Sequence, residues 1–133
     1  MDWRQLESFS FGDSPALADE LVALAVAGRK TATCWAAAEG LLTAPGKRMV
    51  ARDGQGRPRA VIETVELAQR RFGEVDAAFA FDEGEGDRTL AYWRAAHERY
   101  FRRLGQFAPD MLLWCERFRV VEVIAPPLPQ AGA

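Results

Sequence analysis

Residues 48–67 read RMVARDGQGRPRAVIETVEL. Two runs of apolar and β-branched residues, Arg48 to Asp53 and Pro58 to Leu67, flank the glycine-rich link Asp53-Gly54-Gln55-Gly56-Arg57, which is the pattern of a β-hairpin. This hairpin predicts the centre of a sheet, and the elements around it decide the fold class. Upstream, Ser14-Pro15 is a helix start, since the serine oxygen caps free N–H groups and proline suits the first helical position. Leu17, Leu21 and Leu24 share one helical face and Gly28 is a natural stop, which predicts a helix over 14–27. Thr31-Ala32-Thr33-Cys34-Trp35 then predicts a strand. Ala36 to Leu42 is ambiguous, with a short helix as one reading, and Ala44-Pro45-Gly46-Lys47 is a turn.

Downstream, Asp76 caps a short predicted helix through Ala77–Phe81, followed by the loop Glu83-Gly84-Glu85-Gly86-Asp87. A long helix is expected from Thr89 to Leu104, with Leu90, Trp93, His97, Tyr100 and Leu104 on one stripe and Gly105 as its stop. Met111 to Ile124 predicts a last strand, with Leu112, Trp114, Phe118, Val120 and Ile124 on one face and Arg117 and Arg119 on the other. Pro126-Pro127 ends it, and 125–133 reads as a loose tail. The order helix, strands, helices, strand predicts an α+β fold, a mixed sheet or small partly closed barrel, and not alternating βαβ units.

The chain has 133 residues, 49% of them apolar. That suffices for one domain with its own core and without disulfide or metal support. Seventeen basic residues face nineteen acidic ones. No global positive field is therefore available to grip nucleic acid, and any polyanion must be met locally. Only Lys30 and Lys47 among the basic residues are lysines. Cys34 and Cys115 lie in apolar stretches and read as buried, inert thiols, and with His97 as the single histidine no Cys/His metal site is expected. No apolar run is long enough to span a membrane, and Met1-Asp2-Trp3-Arg4 does not open a secretory signal, so the expected location is the cytoplasm.

Charge is uneven along the chain. Glu74, Asp76, Asp82, Glu83, Glu85 and Asp87 form an acidic loop region without a base, and the helix that follows carries Arg88, Arg94, Arg99, Arg102 and Arg103 against Glu98 alone. The plain reading is a solvated loop beside a solvated helix face. The sharper one is a carboxylate facing a cleft with arginines nearby to hold phosphate.

Three segments carry a resemblance to a known family. Phe11-Gly12-Asp13-Ser14-Pro15 with Leu17-Ala18-Asp19-Glu20-Leu21 and Gly28-Arg29-Lys30-Thr31-Ala32-Thr33 resembles the opening of ASCH-domain proteins of the PUA-like superfamily. Glu83-Gly84-Glu85-Gly86-Asp87-Arg88-Thr89-Leu90, with Trp93, Arg94 and His97, and the closing Cys115-Glu116-Arg117-Phe118-Arg119-Val120 resemble the same family, in a longer bacterial branch. The resemblance implies a single domain over 1–133 with its core at about 11–124. It also implies a mixed β-barrel of about six strands flanked by helices. The implied ligand is RNA or a modified nucleoside, with no cofactor.

A more distant branch that resembles this chain at the signature hydrolyses the amide of N4-acetylcytidine with a lysine, a threonine and a glutamate. Carried over, these roles fall on Lys30, Thr33 and Glu85, with Glu83 as the near alternative. Arg29, Thr31, Trp35, Glu83 and Arg94 are the expected ligand contacts, Trp35 as a stacking surface. The chemistry is coherent, because a lysine desolvated in a pocket can take the proton of a threonine nucleophile, and a carboxylate can orient the lysine or pass a proton to the leaving amine.

Spacing adds a condition. Residues 30 and 33 would face opposite sides of a regular strand, so Lys30 must precede the strand or a bulge must intervene, and Thr31 competes with Thr33. Each residue also has a plain reading: Lys30 as a solvated charge after a helix C-terminus, Thr33 as a strand former, Glu85 as loop solvation, His97 as a hydrogen-bonded core histidine, and Trp35, Trp93, Trp114 and Tyr100 as core aromatics. Three functions follow: an amidohydrolase on a modified pyrimidine nucleoside; an RNA-binding module using Lys30, Arg29, Arg94, Arg99, Arg102 and Arg103 on phosphate; and a ribonuclease in which Lys30 stabilises developing negative charge.

Overall fold

A computed structural model describes residues 2–124. The 48–67 hairpin is at the centre as expected: β3 (Arg48–Arg52) pairs antiparallel with β4 (Pro58–Arg71), which runs past Leu67. Asp53 closes the turn, its carboxylate accepting the N–H groups of Gln55 and Arg57 and the Arg57 guanidinium. The sheet is completed by β1 (Ser8–Ser10), β2 (Ala32–Ala36) and β5 (Leu112–Val123), in the order β1-β3-β4-β5-β2, with β1 parallel to β3.

The helices start where side-chain oxygens can cap them. In α1 (Pro15–Val26), Ser14 accepts from Leu17 N–H. Asp76 does the same for Phe79 in α2 (Ala77–Glu83), and Thr89 for Tyr92 in α3 (Leu90–Arg103). The ambiguous 36–42 stretch holds one 3-10 turn, Ala37–Glu39.

Two apolar clusters cover opposite faces of the sheet. Ala32, Ala36, Leu113 and Cys115 meet Phe79, Trp93 and Phe101 of α2 and α3 on one side. Ala51, Ile62 and Phe118 meet Leu21, Val22 and Ala25 of α1 on the other. This three-layer packing corrects two expectations. β5 is buried on both faces in turn, so Leu113 and Cys115 are core while Leu112 is 40% exposed. On α3 the buried stripe is Trp93, His97 and Phe101; Leu104 is the C-cap, where the helix stops, and is 40% exposed.

The α+β class stands, but the barrel of about six strands is not seen. Among the described residues the sheet has five strands, and its edges β1 and β2 do not pair. Phe9 and Ser10 of one edge and Thr33, Cys34 and Trp35 of the other instead line a common cavity. The open side of the sheet is therefore a cleft. The expected tail at 125–133 lies outside the described residues.

Candidate functional site

The site is built on the turn that joins α1 to β2. Gly28 adopts a left-handed φ of 79°, and the N–H groups of Arg29 and Lys30 both return to the Leu24 carbonyl. Glycine reaches that φ without strain, which suits it to end a helix. Lys30 thus precedes β2, which meets the condition set by its odd spacing from Thr33. Its side chain is turned inward and only 1% exposed. Nζ donates to Glu83 Oε1 at 3.0 Å, to the Glu83 carbonyl at 3.3 Å and to Glu85 Oε2 at 3.1 Å. These are three acceptors for the three N–H groups of an ammonium.

The acidic loop is fastened to this turn by backbone contacts. Gly84 ends α2 with φ 77°, and a Cβ there would overlap the Arg29 carbonyl oxygen. Only glycine allows the approach. Arg29 donates through Nε and Nη2 to the carbonyls of Gly84 and Gly86, each at 2.8 Å. Arg88, itself at a left-handed φ of 66°, reaches back to the carbonyls of Phe81 and Arg29. The Thr31 N–H closes the seam on Asp82 O at 2.7 Å.

Glu83 is the hub. Its Oε2 accepts from Trp93 Nε1 at 2.7 Å and lies 3.4 Å from His97 Nε2. His97 Nδ1 is 2.9 Å from the Trp93 carbonyl. A carbonyl can only accept, so Nδ1 carries a proton and any N–H donation to Glu83 requires the imidazolium. The Trp93 and His97 rings stack at 4.2 Å.

The electrostatics follow from burial and charge. Burial pushes the Glu83 carboxyl up, but Lys30 and His97 outweigh it and hold it well below the usual range. Burial works against the Lys30 ammonium, yet facing Glu83 and Glu85 leave its pKa above that of an ordinary lysine. Burial and the neighbouring Glu83 overcome Lys30 at Glu85, whose pKa is raised. Glu83 likewise overcomes burial at His97 and raises it. Glu85 therefore has a higher proton affinity than Glu83.

Lys30, Thr33, Glu83 and Glu85 line one cavity of about 190 Å³, at the β2 edge between α1 and α3, together with Arg99 and Tyr100. Trp35 lines an adjoining cavity of about 220 Å³, with Thr33, Cys34, Gly12 and Tyr100 common to both. Together they reach the roughly 300–1,000 Å³ of small-molecule sites. Thr31 is exposed and bound to Asp82 O. Arg29 holds the loop, and Arg94 donates to the carbonyls of Gly73 and Val75, so neither lines these cavities. Arg102 and Arg103 pair with Glu98 and Asp13, whereas Arg99 is exposed on the cavity wall with no ion pair among the described residues.

Two features escaped the sequence. Cys34, Glu83 and His97 place ligand-type atoms within 4.8 Å of one another, although Lys30 already supplies a cation to Glu83, and burial with Glu83 keeps the Cys34 thiol protonated. Glu116 is buried in the second cavity. Its signal was present, since it alternates with Trp114 and Phe118 and so puts an acid on an apolar face.

The ASCH domain profile matches residues 7–122. The chain belongs to the ASCH-domain family. A protein from Enterococcus faecalis V583 is 38% identical, with a TM-score of 0.79 over 88% of this chain and 77% of that one. An ASCH domain from Lactobacillus crispatus is 32% identical, with a TM-score of 0.77 over 86% and 79% of the two chains. The ASCH protein of Zymomonas mobilis, at 11% identity, shares the fold with a TM-score of 0.55 over 89% and 70%. No curated protein matches the chain. The segments that carried the resemblance in this ASCH domain are those that form the Lys30 turn, the last residue of α2 (Glu83, expected in the loop) with the loop of Glu85, and the β5 stretch around Glu116. Among the described residues no helix is long and apolar enough to cross a membrane.

Proposed function

We propose that the cleft binds a nucleoside, free or as a unit of RNA, and hydrolyses an amide carried by its pyrimidine base, as in N4-acetylcytidine. The observation that carries this reading is the Lys30 ammonium between Glu83 and Glu85, on the wall of a cavity that Thr33 also lines. In the resting site every N–H of Lys30 is engaged, so Lys30 becomes a base only after giving up a proton. Glu85, 3.1 Å away and with its proton affinity raised, is the acceptor. Ligand entry that displaces water favours the neutral amine and acid over the ion pair. The Thr33 hydroxyl then attacks the amide carbon as its proton passes to Lys30, and the Glu85 proton goes to the leaving nitrogen as the C–N bond breaks. Water hydrolyses the acyl-threonine to release the acid. Glu83, held ionised, keeps Lys30 in place.

The experiment is incubation with N4-acetylcytidine, other N4-acylated cytidines and a generic RNA, with products separated by mass. Cytidine and acetate should appear with the wild-type protein, and Glu85→Gln and Thr33→Val should lower the rate at least about a hundredfold. Intact nucleosides overturn the hydrolytic step. Shortened RNA that is lost in Glu85→Gln would favour a ribonuclease. Arg99, exposed on the cavity wall without an ion pair among the described residues, favours a second reading. That reading is RNA binding without turnover, marked by affinity that falls with salt.

A further inference from the structure

The second cavity contains a group that the Lys30 site does not use. Glu116 is 5% exposed; burial pushes its pKa up, against the pull of the Thr64 hydrogen bond and of the Lys30 charge, which is not in ion-pair contact with it. A buried carboxylate is costly unless something satisfies it. Its hydrogen bond comes from Thr64 Oγ1 at 2.7 Å. Thr64 has one hydroxyl hydrogen, so in its 2.8 Å contact with Thr43 the donor is Thr43. The chain of hydroxyls runs from Thr43 to Thr64 to Glu116 and ends in an acceptor at the cavity. The remaining wall presents Phe9, Phe11, Trp35, Met49 and Ile62, and at its rim Glu39 and Lys47, whose ammonium is engaged by Glu7. This is a space for a flat ring with one hydrogen-bond donor on its edge.

Register supplies the direction. Glu116 is the cross-strand partner of Thr33 in the β2–β5 ladder, and Thr33 lines both cavities. Cross-strand partners present their side chains on one face. A substituent on the ring edge that meets Glu116 points past Thr33 to the Lys30 cavity.

Resting on the nucleoside reading above, we propose that the second cavity is the base subsite and Glu116 its specificity residue. The carboxylate accepts a hydrogen bond from the exocyclic N–H of a 4-aminopyrimidine or its N-acyl derivative, whose ring lies among Phe9, Phe11 and Trp35. A 4-oxo pyrimidine sets an acceptor oxygen against an acceptor carboxylate and is rejected, because both groups lose water without gaining a partner.

The test is calorimetric binding of cytidine, uridine and N4,N4-dimethylcytidine to the intact chain. Uridine and the dimethyl compound, which lack the exocyclic N–H, should bind at least about tenfold more weakly than cytidine. In Glu116→Gln the gap between cytidine and uridine should close to within about threefold, since an amide offers both a donor and an acceptor. Equal affinity of the wild-type protein for cytidine and uridine, or a gap that survives in Glu116→Gln, overturns the assignment of Glu116 and leaves the nucleoside reading standing. Binding of none of the three overturns the nucleoside reading and this subsite with it. Should Glu116→Gln not fold, the three-ligand comparison on the wild-type protein decides the matter alone.

Discussion

Lys30 Nζ lies 3.0 Å from Glu83 Oε1, with the two side chains 1% and 2% exposed. The pair joins the turn after α1 to the end of α2, and removing one partner leaves the other as a buried charge without its main counter-charge. Lys30→Met should therefore destabilise the protein by about 3–5 kcal/mol, and Lys30→Met with Glu83→Gln by clearly less, because the double variant removes the fully buried charge and leaves only Glu85, 16% exposed, without its cation. Urea unfolding of the two proteins checks this. Equal losses would mean that burial strain and not charge sets the cost.

The loop of Glu85 depends on a glycine. At Gly84 an added Cβ meets the Arg29 carbonyl, whereas Gly105, also at a left-handed φ, has open space around it. Gly84→Ala should cost about 2 kcal/mol or more, from the left-handed φ and from overpacking together. Gly105→Ala should cost only about 1 kcal/mol, from the backbone alone. Thermal unfolding of both variants separates the contact from the backbone conformation.

Arg29 works through the planar fork of its guanidinium, which spans the carbonyls of Gly84 and Gly86. Lysine cannot reproduce two parallel donors. Arg29→Lys should leave the fold intact, speed amide hydrogen exchange across 84–88 and weaken ligand binding, with exchange unchanged in β3 and β4. Unaltered exchange in the loop would show that the fork does not hold it.

His97 predicts a pH dependence. Its pKa is raised. The folded state therefore binds the proton more tightly than the unfolded chain. The stabilisation is fully present below the unfolded value of about 6.5 and is lost as pH rises through the higher folded value. Because the chain has a single histidine, one imidazole titration by NMR reads it directly. The midpoint should lie above about 6.5, and stability should decline over the interval between the two values. A midpoint below the unfolded value would mean that desolvation outweighs Glu83.

Local rules read well where local energetics decide. The hairpin turn at Asp53, the caps Ser14 and Asp76, and the glycine stops after α1 and α3 each depend on neighbours within a few residues, and each is where the sequence puts it. The errors concern burial. Leu104 and Leu112 fit apolar stripes by spacing yet are exposed, because which face is covered depends on helices far away in sequence.

The same division holds for the site. The unusual lysine at 30, the acids at 83 and 85 and the Arg29 turn were visible as residues, but neutral composition concealed how their charges are spent. Most arginines of α3 are committed to carboxylates or carbonyls within the fold, and Arg99 is the exception on the cavity wall.

By itself the sequence determined the element types, the α+β class, the family resemblance and the segments from which a site could be drawn, because hydrophobic period, caps and turns act over short range. Only the tertiary structure decided that the sheet opens as a cleft between β1 and β2, that Lys30 is enclosed with two carboxylates, and that Glu116 faces a cavity with its hydrogen bond supplied by Thr64. Those outcomes depend on which distant charges share a desolvated volume, and pairing across more than fifty residues leaves no periodic trace in the chain.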